Sequence, residues 1–264
     1  MSYQIEELLN KCEIEDYTIL VELIDNYFSY TDDSKLKLEL EKYKKSHNKK
    51  DRILLNQHIE KNVRYFGSAD VAYFRRYLFH KDQLPGVNID EIIRDVSKLL
   101  KVKQRHLGTV EARLERLTKA VAENTFFKLT SKQQRDLFNK AGLSGEQQKE
   151  FFKKIKDNKV LFFPILLSII GSTLLREIMT GIVVKVITKY SSKKAAEKIV
   201  AEITKKIPWW SEWLGPIVWA LSIGWLMFDM QGPANRKTVP ILLYLGIVGL
   251  RDGPEEGENF WKES

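Results

Sequence analysis

Asn88-Ile89-Asp90-Glu91-Ile92-Ile93-Arg94-Asp95-Val96-Ser97-Lys98-Leu99-Leu100 is the stretch that decides the fold class. Ile89, Ile92, Ile93, Val96, Leu99 and Leu100 recur at spacings of three and four, which gathers them on one face of a helix. Asn88 occupies the N-cap position, and Glu91 three residues on completes a box-like pattern. Working outward, Val110, Leu114, Leu117 and Val121 repeat the apolar stripe. Thr130 with Gln133 and Ser144 with Gln147 mark two further helix starts. Gly67, Pro85-Gly86, Gly108 and Gly142 fall between the periodic segments, where breaks belong. No alternation of strand type interrupts this pattern, so residues 1–157 are expected to form a polar, amphipathic, wholly helical region.

From about Asn158 the composition changes. The 16 residues Val160 to Leu175 carry no charge, nor do the 16 from Trp213 to Phe228 or the 13 from Thr238 to Leu250. Between the first two runs, Arg176 to Ile207 holds eight Lys or Arg against three Glu. Residues 158–251 therefore form an apolar and basic helical region, with a helical hairpin expected from the apolar runs. Residues 252–264 read as an acidic, Gly-containing, solvated tail. The fold class expected overall is all-α, a multi-helix bundle with an apolar C-terminal hairpin.

A helix of 16 residues rises about 24 Å, against a bilayer hydrocarbon core of about 30 Å. The runs are slightly short for ordinary spans, and their length alone slightly favours buried helices of a soluble bundle. The Trp residues favour a membrane. Trp209, Trp210, Trp213, Trp219 and Trp225 lie within 17 residues, and Trp suits a boundary that is apolar on one side and wet on the other. These five are the candidate membrane-interface residues. Lys185, Lys189, Lys193, Lys194, Lys198, Lys205 and Lys206 alternate with Ile and Val, so a helix here can set apolar residues below the headgroups while its lysines meet anionic lipid.

Charge and composition exclude several other classes. The chain of 264 residues carries 43 Lys and Arg against 35 Asp and Glu, for a net charge of +8, and its 44% apolar content is that of a globular protein. The lone Cys12 rules out an intramolecular disulfide, and Glu13, Glu15 and Asp16 beside it oppose a reactive thiolate, so it is expected in the core. His47, His58, His80 and His106 show no metal-ligand spacing, and no phosphate loop or nucleophile elbow occurs. No catalytic, cofactor-binding or metal residues are therefore assigned, no cofactor is expected, and the chain is not expected to be an enzyme. The polar, acidic start lacks a signal-peptide pattern, which points to the cytoplasm and the inner face of the membrane. Lys44-Lys45, Lys49-Lys50 and Arg75-Arg76, the last among Tyr65, Phe66, Tyr73, Phe74 and Tyr77, pair charge with aromatic rings. No nucleic-acid motif accompanies them, so nucleic acid is not the expected partner.

Several short segments together resemble the YaaW family of uncharacterised bacterial proteins. They are Leu8-Leu9-Asn10-Lys11-Cys12 with Glu15-Asp16 and Leu20-Val21; Tyr65-Phe66-Gly67-Ser68-Ala69-Asp70 through Asp95 to Lys103; and Leu214-Gly215-Pro216-Ile217, Arg236 to Pro240 and Leu250-Arg251. The resemblance implies a helical protein distantly grouped with ubiquinol–cytochrome c chaperones, with no catalytic residues to carry over. The family's Gly-rich hairpin near Gly215 is here filled with Trp, Leu and Ile. The expected role is chaperone- or assembly-like, with an anionic membrane surface or apolar membrane-protein segments as partner. A membrane-disrupting toxin or defence effector is the first alternative, and a soluble module binding nucleic acid or protein is the second.

Overall fold

The computed structural model describes residues 4–25, 33–67, 87–157, 161–211 and 233–262. Among these, twelve α-helices and no strand occur. They are α1 (Glu6–Leu9), α2 (Ile14–Asp25), α3 (Asp33–Ser46), α4 (Lys49–Phe66), α5 (Ile89–Leu100), α6 (Val110–Lys128), α7 (Ser131–Lys140), α8 (Gly145–Asp157), α9 (Phe162–Tyr190), α10 (Lys193–Lys206), α11 (Pro233–Gly249) and α12 (Asn259–Lys262). The all-α bundle is what the periodicity predicts. Helix starts follow the caps: Thr130 and Gln133 form a reciprocal capping box, and Ser144 with Gln147 exchange the same two bonds at 2.8 and 3.2 Å. Asn88 caps α5 through Asp90 N–H at 2.9 Å, so the cap is in place while Glu91 lies outside it.

Helices α6, α9 and α11 pack against one another at the centre. Helices α2, α4 and α5 lie on α11, α3 covers α2 and α4, α8 lies on α9, and α10 bridges α9 and α2. Gly246 lets α11 approach α6 closely: a Cβ there would stand 2.0 Å from Thr118 Oγ1 and 2.6 Å from the Leu114 carbonyl oxygen. A single apolar cluster runs from Ile5 to Trp261 and draws on both compositional regions. The change of composition near residue 157 is therefore no boundary in the packing.

Two features depart from the sequence reading. The acidic segment after Arg251 is exposed over residues 255–259, as expected, but it is docked at Phe260 and Trp261. Phe260 and Trp261 are 2% and 3% exposed, α12 packs on α9, and the Trp261 ring lies 6.0 Å from Phe163. Glu and Gly dilute this pair in composition, yet two large aromatic rings bury enough apolar surface to dock a short segment. The first uncharged run is not one straight rod either. At Gly171 (φ 75°, ψ 171°) α9 leaves helical geometry, and Gln147 Nε2 donates to the Ile169 carbonyl at 3.3 Å. The second arm of the expected hairpin, 213–228, lies outside the described residues.

Candidate membrane-associating region

Helix α10 starts at Ser192, whose hydroxyl accepts from Ala195 N–H at 3.2 Å. Ala195, Ala196, Ile199 and Ile203 form its buried face, and this apolar stripe sets the lysines along the rim. The structure brings several of the expected lipid-contacting lysines together, but onto carboxylates of the N-terminal region. Lys194 Nζ lies 2.8 Å from Glu22 Oε1 on α2, and Lys198 bonds the other oxygen of the same carboxylate. Lys206 pairs with Glu13 at 2.6 Å, Lys205 with Glu202 of its own helix at 2.6 Å, and Lys193 approaches Glu197 at 3.9 Å. Lys189 is exposed and Lys185 half-buried, both on α9. The Glu22 side chain is only 5% exposed. Burial alone would raise its pKa, but hydrogen bonds from Lys194 and Lys198 outweigh that and hold the carboxyl below its ordinary value.

Two of the five interface tryptophans are described. Trp209 is half-buried, and its indole N–H donates to Glu177 Oε2 at 3.0 Å. Trp210 is fully buried rather than wet at one end, stacked on Trp209 with ring centroids 4.3 Å apart. It fits against α9 because Gly181 has no side chain: a Cβ there would lie 1.7 Å from the indole ring. In this packed state Trp210 is a core residue. The expectation treated its sequence neighbours as one interfacial belt, whereas a turn after α10 folds this ring back onto α9. Trp213, Trp219 and Trp225 lie outside the described residues.

A cleft of about 250 Å³ opens between α2, α9, α10 and α11. Ile203, Ile207 and Ile247 form apolar walls, and Asp16, Arg176, Glu177, Lys206 and Arg251 contribute charge. Sequence reasoning did not foresee the network at its base. The Tyr244 hydroxyl donates to Asp16 Oδ1 at 2.8 Å, and Arg251 Nη2 reaches both oxygens of Asp16 at 2.7 and 2.6 Å. Arg176 Nη1 donates in turn to the Arg251 carbonyl at 2.8 Å. Burial, reinforced by the Asp16 carboxylate, keeps the Tyr244 hydroxyl protonated well above its usual range. Its only sequence trace was the presence of Asp16 and Arg251 among the quoted segments, with nothing to join positions 235 residues apart.

These groups tie the protein to itself. Asp16, Arg251, Arg176, Lys206 and Glu177 each bond a protein partner, which suits holding α2, α9 and the end of α11 together more than proton transfer. Cys12 is buried, and burial together with Asp16 raises its thiol far above the reactive range. Among the described residues, no three His, Cys, Asp or Glu side chains gather as a metal site. Helix α9 is the one described helix long and apolar enough to cross a membrane, and less than half of its most apolar window is buried. Comparison of the chain with protein-family models, with curated proteins and with solved structures finds no match.

Proposed function

We propose that this protein is a non-enzymatic helical protein whose C-terminal region, α9 and α10, associates with an anionic membrane surface or with apolar membrane-protein segments. Its role in that reading is chaperone- or assembly-like, at the cytoplasmic face, in keeping with the YaaW-like segments. The observation that carries the proposal is the open middle of α9. Its buried residues concentrate at Phe162–Leu166 and Leu175–Thr188, whereas Ile169, Ile170 and Leu174 are only half-buried and Ser168, Ser172 and Thr173 are exposed. Ile169, Ile170 and Leu174 pack on the core with one side and keep part of their apolar surface open beside these small polar residues, where an apolar partner can meet it. The basic face of α10 follows directly, and cations beside apolar side chains favour an anionic interface.

The reading is tested by cosedimentation with vesicles of phosphatidylcholine alone and of phosphatidylcholine with phosphatidylglycerol. Binding is expected only with the anionic lipid, and it should weaken as salt rises toward 1 M, where screening acts over about 3 Å. Protein that stays in the supernatant with both vesicles overturns the proposal. The break at Gly171 favours a second reading, a membrane-disrupting effector, because it divides an uncharged run that would be longer when straight. Dye release from the anionic vesicles on protein binding supports that reading, and binding without release supports the assembly role.

A further inference from the structure

We propose that the connection between α5 and α6, residues 101–108, is a second contact for an anionic lipid surface, separate from the C-terminal region and not dependent on it. Leu107 at its tip is 74% exposed, more than any other large apolar side chain among the described residues. Lys101, Lys103, Arg105 and His106 stand exposed around it. The loop is held in one shape at several points. Lys101 takes a left-handed turn (φ 55°) that ends α5, Gln104 Nε2 donates to Ser97 Oγ at 3.0 Å, Asn124 Nδ2 donates to the Leu100 carbonyl at 3.2 Å, and the Arg116 guanidinium holds the Leu107 carbonyl. A leucine presented on a fixed loop loses little entropy when it is buried in a partner.

The chemistry of the loop selects the partner. Cations surrounding a single aliphatic tip suit a headgroup layer, where the charges stay among phosphates while the leucine enters the acyl boundary. Single-stranded nucleic acid would call for large aromatic rings on which bases stack, and residues 101–108 contain no Phe, Tyr or Trp. Partial burial, and then Arg94 of α5 and Arg113 and Arg116 of α6, depress the His106 pKa, while Asp90 opposes them. Asp90 is itself engaged by Arg113 at 2.6 Å. Glu256 pairs with Arg116, and with Glu123 it lines the hollow beside Lys103 and Arg105, so the cations the loop offers a surface are those facing away from these carboxylates.

Vesicles of phosphatidylcholine with phosphatidylglycerol, and a poly-dT oligonucleotide, are the probes for three full-length proteins: wild type, Lys101→Gln/Lys103→Gln, and Leu107→Ser. All the changed side chains are exposed, so helical content and melting are expected to be unchanged. Loss of the two lysines should weaken vesicle binding by up to about fivefold each. Loss of the leucine should weaken it by about tenfold. The His106 imidazole, followed by NMR, should titrate at higher pH once phosphatidylglycerol nanodiscs are added. Variants that bind vesicles as tightly as wild type overturn the loop contact and leave the C-terminal proposal standing. Wild type that binds no vesicles overturns both. Variants impaired only toward poly-dT overturn the lipid assignment in favour of nucleic acid.

Discussion

Glu115 is wholly buried on α6 beneath the end of α11, with Oε2 accepting from Glu255 N–H at 2.9 Å and Oε1 without a hydrogen-bond partner among the described residues. Burial, and then the nearby Glu111 and Glu255 carboxylates, push its pKa up to about 8. An unfolded glutamate titrates near about 4.3. Between those two values the folded chain holds a proton that the unfolded chain has released, so this residue makes stability fall as pH rises from about 4 to about 8 and level off above. Glu115→Gln should abolish that slope. It should leave stability nearly unchanged at pH 5 and raise it at pH 9 by about 1–3 kcal/mol, the range for a buried group relieved of an unmet bonding requirement. Urea unfolding at the two pH values checks this, and equal slopes for the two proteins would refute it.

At the scale of elements, α10 is held on α2 by one nearly buried carboxylate that serves two lysines. This is a competition: a lipid surface that takes Lys194 and Lys198 must take them from Glu22. Because that carboxyl titrates below its ordinary value, the clip is intact above about pH 4.3 and lost as pH falls through the depressed value. Glu22→Gln should release both cations at neutral pH, speed amide exchange along Lys193–Lys206, and tighten binding to anionic vesicles by up to about fivefold per lysine. Exchange and binding identical to wild type would show that the clip restrains nothing. The amphipathic character of α10 and the caps at Thr130 and Ser144 were plain in the sequence, since spacing reports which face of a helix is apolar. Spacing does not report what covers that face. For this reason the partners Glu22 and Glu13, the seating of Trp210 on Gly181 and the break at Gly171 emerge only in three dimensions. The apolar runs pose the same ambiguity: α9 and α11 hold two of the three uncharged runs, and they pack with α6 as the centre of one bundle.

Across the whole molecule, the segment 256–261 closes the bundle. The Phe260 carbonyl accepts from the Lys119 ammonium, which lies 5.1 Å from the ring centroids of both Phe163 and Phe260, and Arg116 pairs with Glu256. Phe260→Ala and Trp261→Ala should each cost about 3–5 kcal/mol in urea unfolding, as for other buried aromatic rings. A solvated tail would give essentially no change. The bond between Asp16 and Arg251 makes the same point over a longer distance, since it joins residues separated by 235 positions. During synthesis at about 5–20 residues per second, Asp16 waits roughly 12–47 s for that arginine to be added. During most of that interval α2 has α3 and α4 to pack on but not yet α10 and α11, and Asp16 lacks its arginine. Until Arg251 is added, that carboxylate stays without its bidentate partner, and α2 is correspondingly less protected from proteases and aggregation.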